Sequence, residues 1–120
     1  MKLFLKDKRV GVNHANDGAT PFFIACEKGH IEIVNLLLKD ERVDINKANK
    51  YGYTPFYIAC GNGHIEIVKL LLLDERINRN KTNKKNESPF YIACQQGHIE
   101  VMKLLLNDNR VDKTKSQNDY

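Results

Sequence analysis

Residues 54–64 read T-P-F-Y-I-A-C-G-N-G-H, and nearly the same stretch occurs once before and once after them. The copies begin at Thr20, Thr54 and Ser88, at intervals of 34 residues. Each copy is followed by I-E-[IV]-[VM]-x-L-L-L and then by D-x-R-[VI], and a partial copy, D-K-R-V, opens the chain at residues 7–10. Self-similarity at a fixed period of this length is the signature of repeat architectures. The chain is therefore predicted to contain three full structural units and a partial one.

Each unit carries the signals of two short helices. Thr20, Thr54 and Ser88 are suitable N-caps, and the proline after each lies at the first helical position, where its missing N–H costs nothing. A glycine eight residues after the proline is predicted to end the first helix in the left-handed conformation. The second helix should begin near the histidine that follows. In the first unit, its apolar stripe consists of Ile31, Val34, Leu37 and Leu38.

The units cannot stand alone. Between them lies a polar stretch rich in Asn, Lys and Gly, such as residues 46–53, which is typical of an extended turn or hairpin. Neither helix reaches the ~12 to 15 residues that an isolated helix needs for marginal stability. Packing on neighbouring units must hold the helices in place. We predict a mainly α fold, a solenoid of stacked helix-turn-helix units joined by hairpin-like loops.

The repeated pattern resembles the ankyrin repeat, G-x-T-P-[FL]-x-x-A-[AC]-x-x-G-H-x-E-x-V-x-x-L-L. The second unit matches it at Gly52, Thr54, Pro55, Ala59, Gly63, His64, Glu66, Val68, Leu71 and Leu72. The resemblance implies a single ankyrin-repeat domain over residues 1–120. Its expected parts are a partial repeat at 1–13, full repeats at about 14–46, 47–80 and 81–114, and a polar tail at 115–120.

Two departures from the family pattern bear on the structure. The turn glycine Gly52 corresponds to Asn86 in the third unit, and asparagine tolerates the left-handed region better than most residues. The histidine that the family usually carries two residues after the proline is replaced by Phe23, Tyr57 and Tyr91. This replacement removes the group that normally makes a hydrogen bond there.

Composition narrows the class of protein. With 120 residues and 42% apolar content, the chain can bury a core without disulfides or metal. It has neither a signal-peptide core nor the ~20 apolar residues that a membrane span needs. We therefore expect an intracellular protein, in the cytoplasm or the nucleus, with no membrane contact and with its three cysteines reduced. The net charge of +4 permits an acidic partner but does not by itself indicate nucleic-acid binding.

Cysteine and histidine recur four positions apart, at Cys26/His30, Cys60/His64 and Cys94/His98. Equivalent positions in stacked units should lie roughly 8 to 10 Å apart. A disulfide needs Cα atoms within ~7 Å, and zinc ligands lie ~2 Å from one metal. We therefore predict structural roles, with cysteine as a small buried residue and histidine as a helix-start residue that satisfies backbone groups. No catalytic residue, metal site or cofactor is predicted, because the sequence lacks the phosphate-loop, nucleophile-elbow and zinc-protease motifs.

The resemblance also implies a non-enzymatic protein-binding module, because ankyrin-like proteins usually bind with hairpin tips and the exposed face of the first helices, which line a concave groove. Carried over by position, the predicted partner-binding residues are Asp17, Glu27, Lys28, Lys50, Tyr51, Tyr53, Gly61, Asn62, Lys84, Lys85, Glu87, Gln95 and Gln96. Tyr51 and Tyr53 stand out, because tyrosine offers a large contact area at low entropic cost. Packing within the hairpin is an equal alternative for these two tyrosines.

Two charged features accompany these tyrosines. One is a cluster of basic residues at Lys47, Lys50, Arg79, Lys81, Lys84 and Lys85. Such runs are most often solvated surface, and if this one is functional, an acidic segment of a protein is favoured over nucleic acid. The other is the D-x-R element, which we interpret as a turn whose arginine bridges adjacent units, with a binding groove as the alternative.

Two further hypotheses concern the context of the stack. The chain is either an interaction module in itself or the recognition segment of a larger multidomain protein or enzyme. Terminal repeats normally need a polar outer face. Leu3, Phe4 and Leu5 are expected to pack on the first full unit, and the third unit is nearly as apolar as the second. The other hypothesis is therefore that the chain is a piece of a longer array or that it self-associates through the apolar ends of the stack.

Overall fold

Six short α-helices follow one another in pairs in the computed structural model, which describes residues 18–113. They are α1 (Pro21–Lys28), α2 (Ile31–Leu38), α3 (Pro55–Gly61), α4 (Ile65–Leu72), α5 (Pro89–Gln95) and α6 (Ile99–Leu106). No β-strand occurs within this range. The predicted mainly α stack of helix-turn-helix units is therefore confirmed. The predictions for Asp17, the partial repeat at 1–13, Leu3 to Leu5 and the polar tail at 115–120 lie outside the described residues.

The first helix of each pair begins as predicted. The hydroxyl oxygens of Thr20, Thr54 and Ser88 accept hydrogen bonds from the backbone N–H three residues on, at 3.1, 3.0 and 3.0 Å. A proline follows each cap at the first helical position. All three caps are buried. Because a buried N–H without a partner costs about 1 to 3 kcal/mol, these positions favour a side chain whose oxygen can accept this hydrogen bond.

In the second and third units, the histidines that begin the second helices bond to the preceding unit. Their side chains do not cap their own helices. Instead, Nε2 of His64 donates to the carbonyl of Glu27 at 2.8 Å, and Nε2 of His98 donates to the carbonyl of Gly61 at 2.9 Å. A carbonyl can only accept, so Nε2 carries the ring proton in both residues. The prediction that these histidines satisfy backbone groups is confirmed, with the partner in the neighbouring unit.

The helix pairs stack in two rows around one continuous core. The first helices α1, α3 and α5 pack on one another more extensively than the second helices do. Phe22 and Phe56 are fully buried in the first row, and Val34, Val68 and Leu71 are fully buried in the second. One apolar cluster therefore runs through all three units.

The cysteine prediction is right for two units and wrong for the third. Cys26 and Cys60 are fully buried, and burial raises the pKa of both thiols well above the ordinary value, so they stay protonated. Cys94 is exposed instead, because no further described unit packs against α5 on that side. All three cysteines are free, and the described residues hold no cluster of three or more His, Cys, Asp or Glu that is placed to bind a metal ion.

Gly63 shows why a glycine separates the two helices of a unit. Its φ angle is 72°, in the left-handed region that was predicted for it. A Cβ atom built on it would lie 2.6 Å from Nδ1 of His98. Glycine is therefore needed twice here, for the backbone angle and for the space that the histidine ring of the next unit occupies.

Replacing this glycine separates the two requirements. Gly63→Ala and Gly97→Ala both place a Cβ at a positive φ, which costs about 1 to 2 kcal/mol. Only the Gly63 variant also displaces a histidine ring, because nothing lies within 4 Å of a Cβ built on Gly97. We expect Gly63→Ala to lower the free energy of unfolding by about 1 kcal/mol more than Gly97→Ala, measured by urea denaturation. Equal losses in the two variants would show that the ring contact is unimportant.

Candidate protein-binding surface

An asparagine side chain organises each described hairpin. Oδ1 of Asn49 accepts hydrogen bonds from the backbone N–H groups of Tyr51 and Tyr53, both at 3.0 Å. Oδ1 of Asn83 accepts from the equivalent amides of the third unit at 2.9 and 3.0 Å. The role of these asparagines was not predicted, although their recurrence 34 residues apart was a signal for it. The two tips are therefore fixed turns.

The two hairpins also touch each other. The backbone N–H of Lys84 donates to the carbonyl of Tyr51 at 3.2 Å. Gly52 has a φ angle of 82°, and a Cβ built on it would lie 2.9 Å from the backbone nitrogen of Lys84. A side chain at Gly52 would push the hairpins apart. Asn86 takes the equivalent place with a φ of 64°, as predicted, and no further hairpin follows it within the described residues.

Three tyrosines form a stack at the second hairpin. The rings of Tyr53 and Tyr57 lie 4.9 Å apart and nearly parallel, and the rings of Tyr51 and Tyr53 lie 5.6 Å apart. The Tyr57 hydroxyl accepts a hydrogen bond from Nδ2 of Asn83 at 3.0 Å, and burial raises the pKa of this phenol. Tyr57 therefore supplies a hydrogen bond where the family histidine is missing. The structure thus separates the two predicted tyrosines, because Tyr53 packs inside the stack while Tyr51 is 53% exposed.

The predicted binding positions at the ends of the first helices are used to join units. Nδ2 of Asn62 donates to the carbonyl of Glu27 at 3.1 Å. The carbonyl of Gly61 accepts from His98, and a Cβ built on Gly61 would lie 3.2 Å from the side chain of Ile92. Glu27, Gly61 and Asn62 therefore contribute to the stack itself.

The remaining predicted positions differ in whether their side chains are exposed or already hydrogen-bonded within the chain. Oε1 of Glu87 accepts from Nδ2 of Asn83 at 2.8 Å, so this carboxylate is engaged within its own hairpin. Nε2 of Gln95 lies 3.4 Å from the hydroxyl of Tyr91, a long contact that leaves the side chain exposed. The other exposed positions of the set are Lys28, Lys50, Lys84, Lys85 and Gln96.

The basic cluster contains lysines only. The exposed members are Lys47, Lys50, Lys81, Lys84 and Lys85. Including Arg79 in this cluster was wrong, because Arg79 is only 8% exposed. Its Nη2 donates to the carbonyls of Leu72 and Asp74 at 3.1 and 3.2 Å. Cationic side chains near a helix C-terminus often bond the last carbonyls in this way.

The D-x-R element is a turn that bridges units. Nη2 of Arg76 donates to the carbonyl of Leu38 at 3.0 Å, and Nη2 of Arg110 donates to the carbonyl of Leu72 at 2.9 Å. Each arginine also holds the aspartate two residues before it. The hydrogen bonds from Arg110 lower the pKa of Asp108 to about 2. The bridging prediction is confirmed for both of these arginines.

Asparagines beside these turns form a second, unpredicted bridge. Nδ2 of Asn46 donates to the carbonyl of Arg76 at 2.9 Å, and its Oδ1 accepts from the backbone N–H of Asn78 at 2.8 Å. Asn80 makes the same pair of bonds to the third unit. The recurrence of asparagine at positions 46 and 80 was the available signal.

Arg110→Ala tests the bridge and its pH dependence. The variant loses the bonds to Asp108 and Leu72, and we expect a free energy of unfolding at neutral pH that is lower by about 1 kcal/mol. A depressed aspartate pKa stabilises the fold above the unfolded pKa of about 4, and this stabilisation is lost as the pH falls towards about 2. Urea denaturation between pH 7 and pH 2 should therefore show the deficit of the variant narrowing below about pH 4. A deficit that is constant with pH would contradict the aspartate–arginine pairing.

The outer face of the third unit is apolar and uncovered by described residues. Ile99 is 59% exposed and Leu106 is 46% exposed, whereas Leu72, which corresponds to Leu106, is 8% exposed. Self-association through this end stays a prediction. Among residues 18–113, no helix has both the length and the apolar character that a membrane span requires.

Comparison with known protein families identifies the repeats. A family model described as "Ankyrin repeats (3 copies)" matches residues 1–81, and one described as "Ankyrin repeat" matches residues 85–113. No curated protein matches the chain significantly. The two matches together extend over nearly all of the described residues and over the N-terminal residues that precede them.

Proposed function

The chain belongs to the ankyrin-repeat family, and we propose that it is a non-enzymatic module that binds a protein partner through its hairpin tips and the concave face of its first helices. Ankyrin repeats are generally protein–protein interaction modules.

One observation carries the choice of site. Tyr51 is exposed at the tip of the second hairpin, with Nζ of Lys50 lying 5.1 Å from the centroid of its ring. The ring of Tyr53 contacts that of Tyr51 and is itself stacked on the ring of Tyr57. Because the base of the stack is buried and hydrogen-bonded, Tyr51 loses little conformational entropy when a partner covers it. Lys50 and Tyr51 are the proposed centre of the binding surface.

The charge around this centre favours an acidic segment of the partner. The exposed lysines Lys47, Lys81, Lys84 and Lys85 lie on the same or the neighbouring hairpin. The nearby Glu87 carboxylate is half-buried and accepts a hydrogen bond from Asn83, so it offsets little of this positive surface. Complementary charge mainly increases the rate of association and the specificity of a complex.

Tyr51→Ala tests the proposed centre. A protein captured by the full chain from a lysate would be purified, and its affinity measured by isothermal titration calorimetry. We expect Tyr51→Ala to weaken binding at least tenfold, about 1.4 kcal/mol, because an exposed tyrosine on a rigid base is a typical hot spot. Lys69→Ala is the matched control, since Lys69 is exposed on the second helix α4. Equal affinities for Tyr51→Ala and the unmodified chain would exclude this tip as the centre.

Charge reversal at Lys50 tests the nature of the partner. For an acidic protein segment, Lys50→Glu should lower the association rate severalfold, and the effect should shrink as salt is added. Nucleic acid predicts a different result, a steep linear fall of log affinity with log salt concentration in the unmodified chain. A gel shift with duplex DNA and single-stranded RNA at physiological salt distinguishes the two.

A further inference from the structure

A buried cation replaces an apolar side chain in the second unit. Positions 45, 79 and 113 are equivalent by the 34-residue period, and they hold Ile45, Arg79 and Lys113. Ile45 is 3% exposed and Arg79 is 8% exposed, so the guanidinium occupies a core position of the repeat. Removing a charge from water costs several kcal/mol unless it is well paired. The first unit shows that isoleucine satisfies the frame at this position.

The burial of the Arg79 guanidinium is only partly compensated by hydrogen bonds. Its hydrogen bonds go to the neutral carbonyls of Leu72, Asp74 and Ile77, the last at 3.4 Å. Its Nε is buried and has no hydrogen-bond partner among the described residues. The nearby carboxylates of Asp74 and Asp108 are each held by another arginine through two or more hydrogen bonds.

Arg79 lines an open pocket of about 450 Å³ whose walls come from the turns after the second helices of all three units. The pocket is also lined by Arg76, Arg110, Ile77 and the three asparagines of the unpredicted bridge, Asn46, Asn78 and Asn80. Arg76 directs Nε and Nη2 to Asp74 and Leu38, and its Nη1 makes no hydrogen bond to any described residue. A guanidinium has five N–H donors, so unused donors remain on both Arg76 and Arg79.

We infer that this arginine pocket binds a small oxyanion of the phosphate-monoester type. A phosphate group presents several acceptor oxygens with a charge near −2, and arginine forms strong, directional hydrogen bonds to it. Arg79 shares the negative charges of Asp74 and Asp108 with Arg76 and Arg110, so the anion adds a counter-charge and accepts from the unused donors of Arg76. None of the lining residues is among the predicted partner-binding residues.

An anion in this pocket would explain why the second unit carries arginine rather than isoleucine at position 79. Replacing a buried charge by a well-packed apolar side chain is often neutral or stabilising, and Ile45 occupies the same place in the first unit. The second unit carries the desolvation cost of the Arg79 guanidinium, which the hydrogen bonds to Leu72 and Asp74 offset in part. Functional sites commonly carry such a cost.

Inorganic phosphate is the probe for the test. The full chain, labelled with ¹⁵N, is titrated with phosphate at constant ionic strength, with chloride as the balancing ion. We expect saturable shifts of the Arg79 Nε–H resonance and of the backbone amides of Asn78 and Asn80. Arg79→Ile should weaken binding at least tenfold. Arg42→Ala is the matched control, because Arg42 belongs to the equivalent turn of the first unit and does not line the pocket, and it should bind as tightly as the unmodified chain.

A second variant keeps the test decisive if Arg79→Ile fails to fold. Arg79→Lys should fold, because Nζ of Lys113 bonds the carbonyls of Asp108 and Val111 from the equivalent position. Lysine retains the charge but lacks Nε–H and the planar donor geometry, so phosphate affinity should fall at least threefold. Absence of saturable binding, shifts that chloride reproduces, or equal phosphate affinity in the unmodified chain and both variants would overturn the proposal.

Discussion

The stack depends on hydrogen bonds from one unit to the helix ends of the unit before it. A helix of seven or eight residues leaves its last four carbonyls without partners inside the helix, and some of these are buried by the next unit. His64 and His98 bond the carbonyls that end the first helices, while Arg76 and Arg110 bond those that end the second helices. Because these donors belong to the next unit, the first two units depend on their successors to satisfy these carbonyls. Each 34-residue unit therefore depends on its neighbours for stability.

The same bonds set the geometry of the hairpins. The histidine and arginine contacts fix the offset between units, and this offset brings the amide of Lys84 to the carbonyl of Tyr51. Asn83 then reaches the hydroxyl of Tyr57, so the third hairpin is anchored to the first helix of the second unit. The exposed ring of Tyr51 is held by contacts that begin in the core.

The sequence predicts those features whose interacting residues lie close together along the chain. The caps, the proline positions, the glycine stops and the helix starts depend on groups within a few residues of one another, and the structure bears them out. The partners of His64 and Tyr57 lie in neighbouring units and depend on an offset that no local signal encodes. The misassigned Arg79 and Cys94 are errors of the same kind. Lysine and arginine carry the same charge, so the sequence alone does not distinguish an exposed cation from a buried one. The packing of the turn shows that Arg79 is buried.

A repeat supplies its own reference, because equivalent positions should hold equivalent residues unless something else requires a change. Tyr51 corresponds to Lys85, and both are exposed, so this difference costs the frame little and says only that the surface is free to vary. Arg79 corresponds to Ile45, and both are buried, so this difference places a charge where the first unit buries an apolar side chain. The backbone carbonyls recover part of that cost, but they are neutral and leave Nε without a partner among the described residues. A cation at this position has a structural role, because Lys113 bonds backbone carbonyls from the equivalent place. The feature that points to a ligand is the Nε of Arg79, a buried donor that those carbonyl bonds leave unused.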